Sequence, residues 1–201
     1  MDTENAVNTD RRSSEVLTLP NILSLMRVLL TPVFIWAMGA RRPWLSFAVF
    51  LLAGATDALD GFTARILRLK TKVGLWLDPL GDKILLTAAF ICLTVRPWAV
   101  PNRLPVWLTI ICVGRDVLIA LGSLVYVLIR GRTQFKPSLI GKASTILQVL
   151  LLLGVLLANG LGTSPDLLPW LYILTAGLTA LAGLQYYFIG IRRFFGPGPS
   201  A

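Results

Sequence analysis

Six apolar stretches, separated by short basic or proline-bearing breaks, leave this chain few ways to fold. They run over about 22–39, 43–64, 75–95, 104–129, 140–160 and 167–190. Roughly 20 helical residues cross the hydrocarbon core of a bilayer, and within it every backbone N–H and C=O must be paired inside the segment. The pattern therefore predicts an all-α, polytopic membrane protein with six transmembrane helices. The breaks are Arg41-Arg42-Pro43, the basic run from Arg65 to Lys72, Arg96-Pro97, Arg130-Gly131-Arg132, and the segment from Asn159-Gly160 to Pro165, all of them turn-forming or helix-ending chemistry. At 55% hydrophobic residues the chain is too apolar for an ordinary soluble domain, and six spans in 201 residues leave no room for a second one.

The ends differ in character from this middle. Residues 1–15 are polar, carry Asp2, Glu4, Asp10 and Glu15, and read as a disordered cytoplasmic tail without the apolar core of a signal peptide. Residues 16–20 read as a short interfacial lead into a six-helix domain over 16–193, and residues 194–201, ending GPGPSA, read as a flexible tail. The net charge of +9 does not mark a nucleic-acid binder, because the basic residues gather at span ends, where they meet anionic lipid headgroups and set topology. One set of loops and tails carries Arg11, Arg12, Arg65, Arg68, Lys70, Lys72, Arg130, Arg132, Lys136, Lys142, Arg192 and Arg193; the other carries Arg41, Arg42, Arg96 and Arg103. This imbalance places both termini and the 65–74 loop in the cytoplasm. Trp36, Trp44, Trp98, Trp107 and Trp170 read as interfacial belt residues, and Gly177 and Gly183 as helix-packing positions, within the chain or at a dimer interface.

Against this apolar background, five aspartates stand in or beside the spans: Asp57, Asp60, Asp78, Asp82 and Asp116. Charged groups at such depth are costly and mark function. Asp57 and Asp60 are spaced i, i+3, and Asp78 and Asp82 i, i+4, so each pair shares a helix face. The second and third spans are joined by a short loop, so their acidic faces can meet near the cytoplasmic boundary. Four mutually repelling carboxylates need a cation between them. Oxygen-only ligands favour a hard divalent ion, Mg2+ or Mn2+, and four carboxylates can hold two. Two such ions suit in-line displacement at phosphorus. Gly61 and Gly74 allow close approach of a ligand or helix, and Arg65, one turn beyond Gly61, can neutralise a diphosphate.

Other uses remain open on spacing alone. The aspartates could pair with Lys83, Arg27 or Arg115, or they could line an ion pathway in a small cation transporter. The absence of histidine excludes His zinc sites, Ser-His-Asp triads and a histidine base, leaving a carboxylate or lysine for that role. Cys92 and Cys112 lie in apolar stretches and read as core.

Taken together, Asp57-x2-Asp60-Gly61-x2-Ala64-Arg65-x8-Gly74-x3-Asp78-x3-Asp82 resembles, without departure, the signature of the CDP-alcohol phosphotransferases. The resemblance implies a six-helix integral membrane enzyme, usually a homodimer, that transfers a substituted phosphate group from a CDP-linked donor to an alcohol and releases CMP. By matching positions, Asp57, Asp60, Asp78 and Asp82 would bind the divalent ions. Asp82 would also be the general base, and Asp60, Gly61, Arg65 and Gly74 would contact the CDP portion.

The likeness extends over most of residues 20–150. Pro20-Asn21-Ile22-Leu23-Ser24-Leu25-Met26-Arg27 and Leu77-Asp78-Pro79-Leu80-Gly81-Asp82-Lys83 resemble the phosphatidylglycerophosphate synthase and cardiolipin synthase branch. Gly114-Arg115-Asp116-Val117, Phe135-Lys136-Pro137-Ser138 and Gly141-Lys142-x2-Thr145-x2-Gln148 look closest to the CDP-diacylglycerol-using cardiolipin synthases. Relatives that use glycerol 3-phosphate commonly carry Arg-Glu where Arg115-Asp116 stands. The resemblance thus implies CDP-diacylglycerol as donor and phosphatidylglycerol as acceptor, with glycerol 3-phosphate as the alternative, in a bacterial inner membrane. Either acceptor is anionic, and Arg115, Lys136 and Lys142 could supply its cationic pocket. The plainer reading pairs Arg115 with Asp116 and makes the two lysines topology anchors.

Overall fold

The computed structural model describes residues 19–67, 74–95, 100–130 and 138–195, with side chains over 25–56, 83–95, 100–123, 125 and 138–189. Regular structure among the described residues is entirely helical: α1 (Leu19–Gly39), α2 (Pro43–Leu67), α3 (Gly74–Thr94), α4 (Val106–Arg130), α5 (Leu139–Leu161) and α6 (Leu168–Phe195). These helices fall on the six apolar stretches. Among the described residues three stretches are long and apolar enough to cross a membrane, Val106–Ser123, Leu139–Leu161 and Leu168–Ile189. Among the described residues α1, α2 and α3 contain shorter apolar runs, Leu25–Gly39, Pro43–Thr56 and Lys83–Thr94.

The chain forms two compact units. The first runs to Cys92 and includes residues 97–99; the second comprises Leu93–Arg96 and the chain from Val100 onward. In the first unit α1 packs against α2. Phe34 and Phe50 meet with ring centroids 5.9 Å apart, and Ala37 and Ala53 are fully buried beside the same helices. The connection between α1 and α2 is tight. Arg41 takes a left-handed φ of 55°, Arg42 N–H donates back to the Ala37 carbonyl, and the Arg42 guanidinium lies 5.7 Å from the Trp36 ring centre.

In the second unit α6 packs against both α4 and α5. Leu108, Leu151, Leu152, Val155 and Leu156 form its apolar core. Cys92 of the first unit and Cys112 of the second are both buried free thiols, in keeping with a packing role. Helix α5 is closed at both ends. The Ser138 hydroxyl accepts from Gly141 N–H, and Gly162 leaves the helix at φ 66°, its N–H turned back to the Ala158 and Asn159 carbonyls. The segment before α4 is tied to this end of α5 by a reciprocal asparagine pair. Asn159 Oδ1 accepts from Asn102 N–H at 2.7 Å and from its Nδ2 at 3.1 Å, while Asn159 Nδ2 donates to the Asn102 carbonyl.

The outward faces are those of a protein surrounded by lipid. Leu118, Leu139 and Trp170 are more than two-thirds exposed, at 72%, 83% and 70%. Trp36, Trp44 and Trp107 are exposed as well, and Trp98 lies outside the described residues. Asn159→Ala would leave the buried Asn102 N–H without its acceptor and should destabilise the second unit by about 2 kcal/mol. A lowered thermal midpoint of the detergent-solubilised protein checks this; an unchanged midpoint would show that the pair contributes nothing.

Candidate functional site

The acidic motif lies on two consecutive helices. Asp57, Asp60, Gly61 and Arg65 belong to the C-terminal part of α2; Gly74 opens α3, and Asp78 and Asp82 follow within its first half. The helical backbone keeps each aspartate pair within about one turn and on one face. The side chains of these seven residues lie outside the described residues, as does Lys136 altogether. Among the described residues no group of three or more Asp, Glu, Cys or His side chains could hold a metal ion. The motif itself contributes carboxylates only, from helical positions, and that donor chemistry fits Mg2+ or Mn2+.

The structure resolves the surroundings of the predicted acceptor residue Arg115. It lies in α4, is 8% exposed, and donates from Nη1 to Asp116 Oδ1 at 2.7 Å. A buried guanidinium needs such a partner, since an unpaired charge in an apolar interior is strongly unfavourable. The contact meets only part of its hydrogen-bonding capacity: Arg115 Nε is buried and has no hydrogen-bond partner among the described residues. Helix α6 lies against the same side chain. The Tyr186 ring centre is 5.6 Å from the guanidinium carbon. Gly183 faces the stem of the same arginine: a Cβ there would sit 3.4 Å from Arg115 Cγ, an ordinary van der Waals contact. Gly183 is thus a packing position as predicted, whereas Gly177 is open, with nothing within 4 Å of where its Cβ would be.

The start of α5 closes the group. A Cβ on Gly141 would meet Ser138 Oγ and Tyr186 Cε2 at 3.0 Å and Arg115 Nη2 at 3.1 Å, so glycine is what fits there. Lys142, the next residue, is exposed. The structure therefore brings Arg115 to the first turn of α5, where Lys142 stands.

Two features escaped sequence reasoning. One is the participation of Tyr186, which stands in the aromatic run Tyr186-Tyr187-Phe188. The other is a polar network inside the second unit. Thr179 Oγ1 accepts from Gln148 Nε2 at 3.0 Å and is 2.9 Å from Ser144 Oγ. All three residues are fully buried, together with Thr175. The signal was present: Ser144 and Gln148, and Thr175 and Thr179, are i, i+4 pairs on otherwise apolar helices. In the first unit Arg27, considered above as a counter-ion, is 3% exposed, and its carbonyl accepts from Thr31 Oγ1.

The family profile described as CDP-alcohol phosphatidyltransferase matches residues 17–182. The chain belongs to this family. Among its relatives, a cardiolipin synthase (CMP-forming) of Rattus norvegicus is 32% identical over 86% of this chain and 61% of its own length. A protein of the same name from Streptomyces coelicolor is 33% identical over 79% of this chain and 72% of its own. A CDP-diacylglycerol--glycerol-3-phosphate 3-phosphatidyltransferase of Pseudomonas fluorescens is 35% identical over 85% and 88%. The chain spans about three-fifths of the rat and human relatives it matches and most of the bacterial ones.

Within this family member, Asp116 is the resolved partner of a buried arginine. Asp116→Ala would strand that charge and should lower stability by about 3 kcal/mol. Chemical or thermal unfolding in detergent would show it; a variant as stable as the parent would mean that the ion pair is not needed to bury Arg115.

Proposed function

We propose that this chain is a phosphatidyltransferase that moves the phosphatidyl group of CDP-diacylglycerol to phosphatidylglycerol, giving cardiolipin and CMP. The observation that carries the reading is the unbroken eight-residue signature on two consecutive helices, within a chain that matches the family profile over residues 17–182. The acceptor assignment rests on the Arg115-Asp116 pair and on the segments around Phe135–Gln148, which resemble cardiolipin synthases. The similarity to the Pseudomonas fluorescens protein supports glycerol 3-phosphate as the second reading. A cation transporter reading leaves Gly61, Arg65 and Gly74 unexplained.

In this reading Asp57, Asp60, Asp78 and Asp82 hold two divalent ions. When bound, such ions stabilise charge on the attacking and leaving oxygens of a phosphoryl centre. Asp60, Gly61, Arg65 and Gly74 take the CDP portion of the donor. Asp82 accepts the proton of the acceptor hydroxyl. That oxygen forms a bond to the phosphorus bearing diacylglycerol while the bond from this phosphorus to the CMP oxygen breaks. The electron pair leaves with CMP, whose charge Arg65 offsets. Arg115, Lys136 and Lys142 bind the anionic group of the acceptor. All six helices cross a bacterial inner membrane, the site and both termini face the cytoplasm, and the chain works as a homodimer. The excess of basic residues in one set of loops supports that orientation.

Purified protein supplied with CDP-diacylglycerol, Mg2+ or Mn2+, and either acceptor should yield cardiolipin and CMP, identified by mass spectrometry. Phosphatidylglycerophosphate instead would transfer the assignment to the second reading, and neither product would overturn both. Asp82→Asn should reduce turnover by about a thousandfold while CDP-diacylglycerol still binds; normal turnover would remove the base assignment. Arg65→Ala should raise the donor KM by about tenfold, and an unaltered donor KM would remove its role.

A further inference from the structure

Arg115 is held by more than its ion pair, and the additional contacts converge on Tyr186. The tyrosine ring lies 5.6 Å from the guanidinium carbon, and its hydroxyl accepts the Ser138 N–H at 3.0 Å. Ser138 in turn caps α5 by accepting Gly141 N–H at 3.0 Å. Gly141 leaves the space in which Tyr186 Cε2, Ser138 Oγ and Arg115 Nη2 come together. One side chain of α6 thus joins the arginine of α4 to the first turn of α5.

The consequence lies in which edge of the guanidinium is left over. Nη1 is engaged by Asp116. Nε is buried without a hydrogen-bond partner among the described residues. Nε–H and the neighbouring Nη2–H share one edge of the planar group, a fork that matches two oxygens of a phosphate. The ion pair with Asp116 secures one nitrogen, but the direction of that fork depends on the plane of the guanidinium. The ring of Tyr186 packs against the guanidinium, and the Ser138 bond prevents the ring from moving independently of α5.

We propose that Tyr186 is a positioning residue for the acceptor: it holds the guanidinium plane of Arg115 so that the Nε–Nη2 edge receives the acceptor phosphate. This rests on the reading that Arg115 binds the acceptor anion. The phosphate of phosphatidylglycerol and that of glycerol 3-phosphate present the same oxygens to such a fork, so the role holds for either acceptor.

The test is steady-state kinetics of the full chain in mixed micelles, with phosphatidylglycerol and glycerol 3-phosphate each assayed as acceptor, varying donor and acceptor separately. Tyr186→Leu removes both ring and hydroxyl. It should raise the acceptor KM by about tenfold, leaving the donor KM and kcat within about twofold. Tyr186→Phe keeps the ring and loses the Ser138 bond, and should raise the acceptor KM by about threefold. Arg115→Ala should raise the acceptor KM further, and adding Tyr186→Leu to it should change nothing more. If Arg115→Ala leaves the acceptor KM unaltered, the acceptor reading of the arginine fails and this inference with it. If Arg115→Ala raises that KM while both Tyr186 variants match the parent, the positioning role alone is overturned. Equal losses toward donor and acceptor would also overturn it, since they mark a general structural role. Should the Leu variant fail to fold, the Phe variant decides by the same criterion.

Discussion

Taking an unpaired carboxylate or guanidinium out of water is unfavourable by several kcal/mol, so each charge in an apolar helix must find a partner or be neutralised. That constraint organises this chain. Arg115 meets it through Asp116 at 2.7 Å. For Asp57, Asp60, Asp78 and Asp82 the excess of negative charge is too large for neighbouring side chains of the motif to balance, since Arg65 is its sole cation. In the proposed reading divalent ions are the balancing charge, and they also have a chemical use. The polar groups follow the same logic at lower stakes. Ser144, Gln148 and Thr179 turn inward and bond one another, while large apolar side chains such as Leu118 and Leu139 face outward.

Much of the helical frame was legible because its signals are local. Apolar runs, prolines, glycines and basic breaks act over a few residues, and the observed helices begin and end close to the breaks read from them. The helical positions of the aspartates were legible for the same reason: Asp57 and Asp60 fall in α2 and Asp78 and Asp82 in α3, and i, i+3 and i, i+4 spacings on a helix share a face. Pairing of Arg115 with Asp116 was readable as adjacency of opposite charges.

What was not legible depends on contacts between distant parts of the chain. Tyr186 meets Ser138, 48 residues away in sequence. The Asn102–Asn159 pair spans 57 residues. No periodicity announces such meetings. Gly177 and Gly183 look alike in the sequence, yet only Gly183 receives a neighbouring side chain. A helix position becomes a packing position only once the partner helix is in place. Tyr186 stands beside Tyr187 and Phe188, a run whose composition describes an interface as well as it describes a site. Tyr187 and Phe188 are exposed, at 64% and 61%, whereas Tyr186 is turned toward Arg115.

In the proposed reaction the phosphatidyl group never has to leave the bilayer. Acyl chains would remain among lipid and only the CMP portion would belong to water, in keeping with a motif that brackets the basic run from Arg65 to Lys72. The most direct measurement is manganese binding by electron paramagnetic resonance on the full chain with CDP-diacylglycerol present. Two bound ions per chain are expected, reduced or lost in Asp57→Asn and in Asp78→Asn. Binding that is absent in the parent, or equal in the parent and both variants, would contradict a carboxylate metal centre on these two helices.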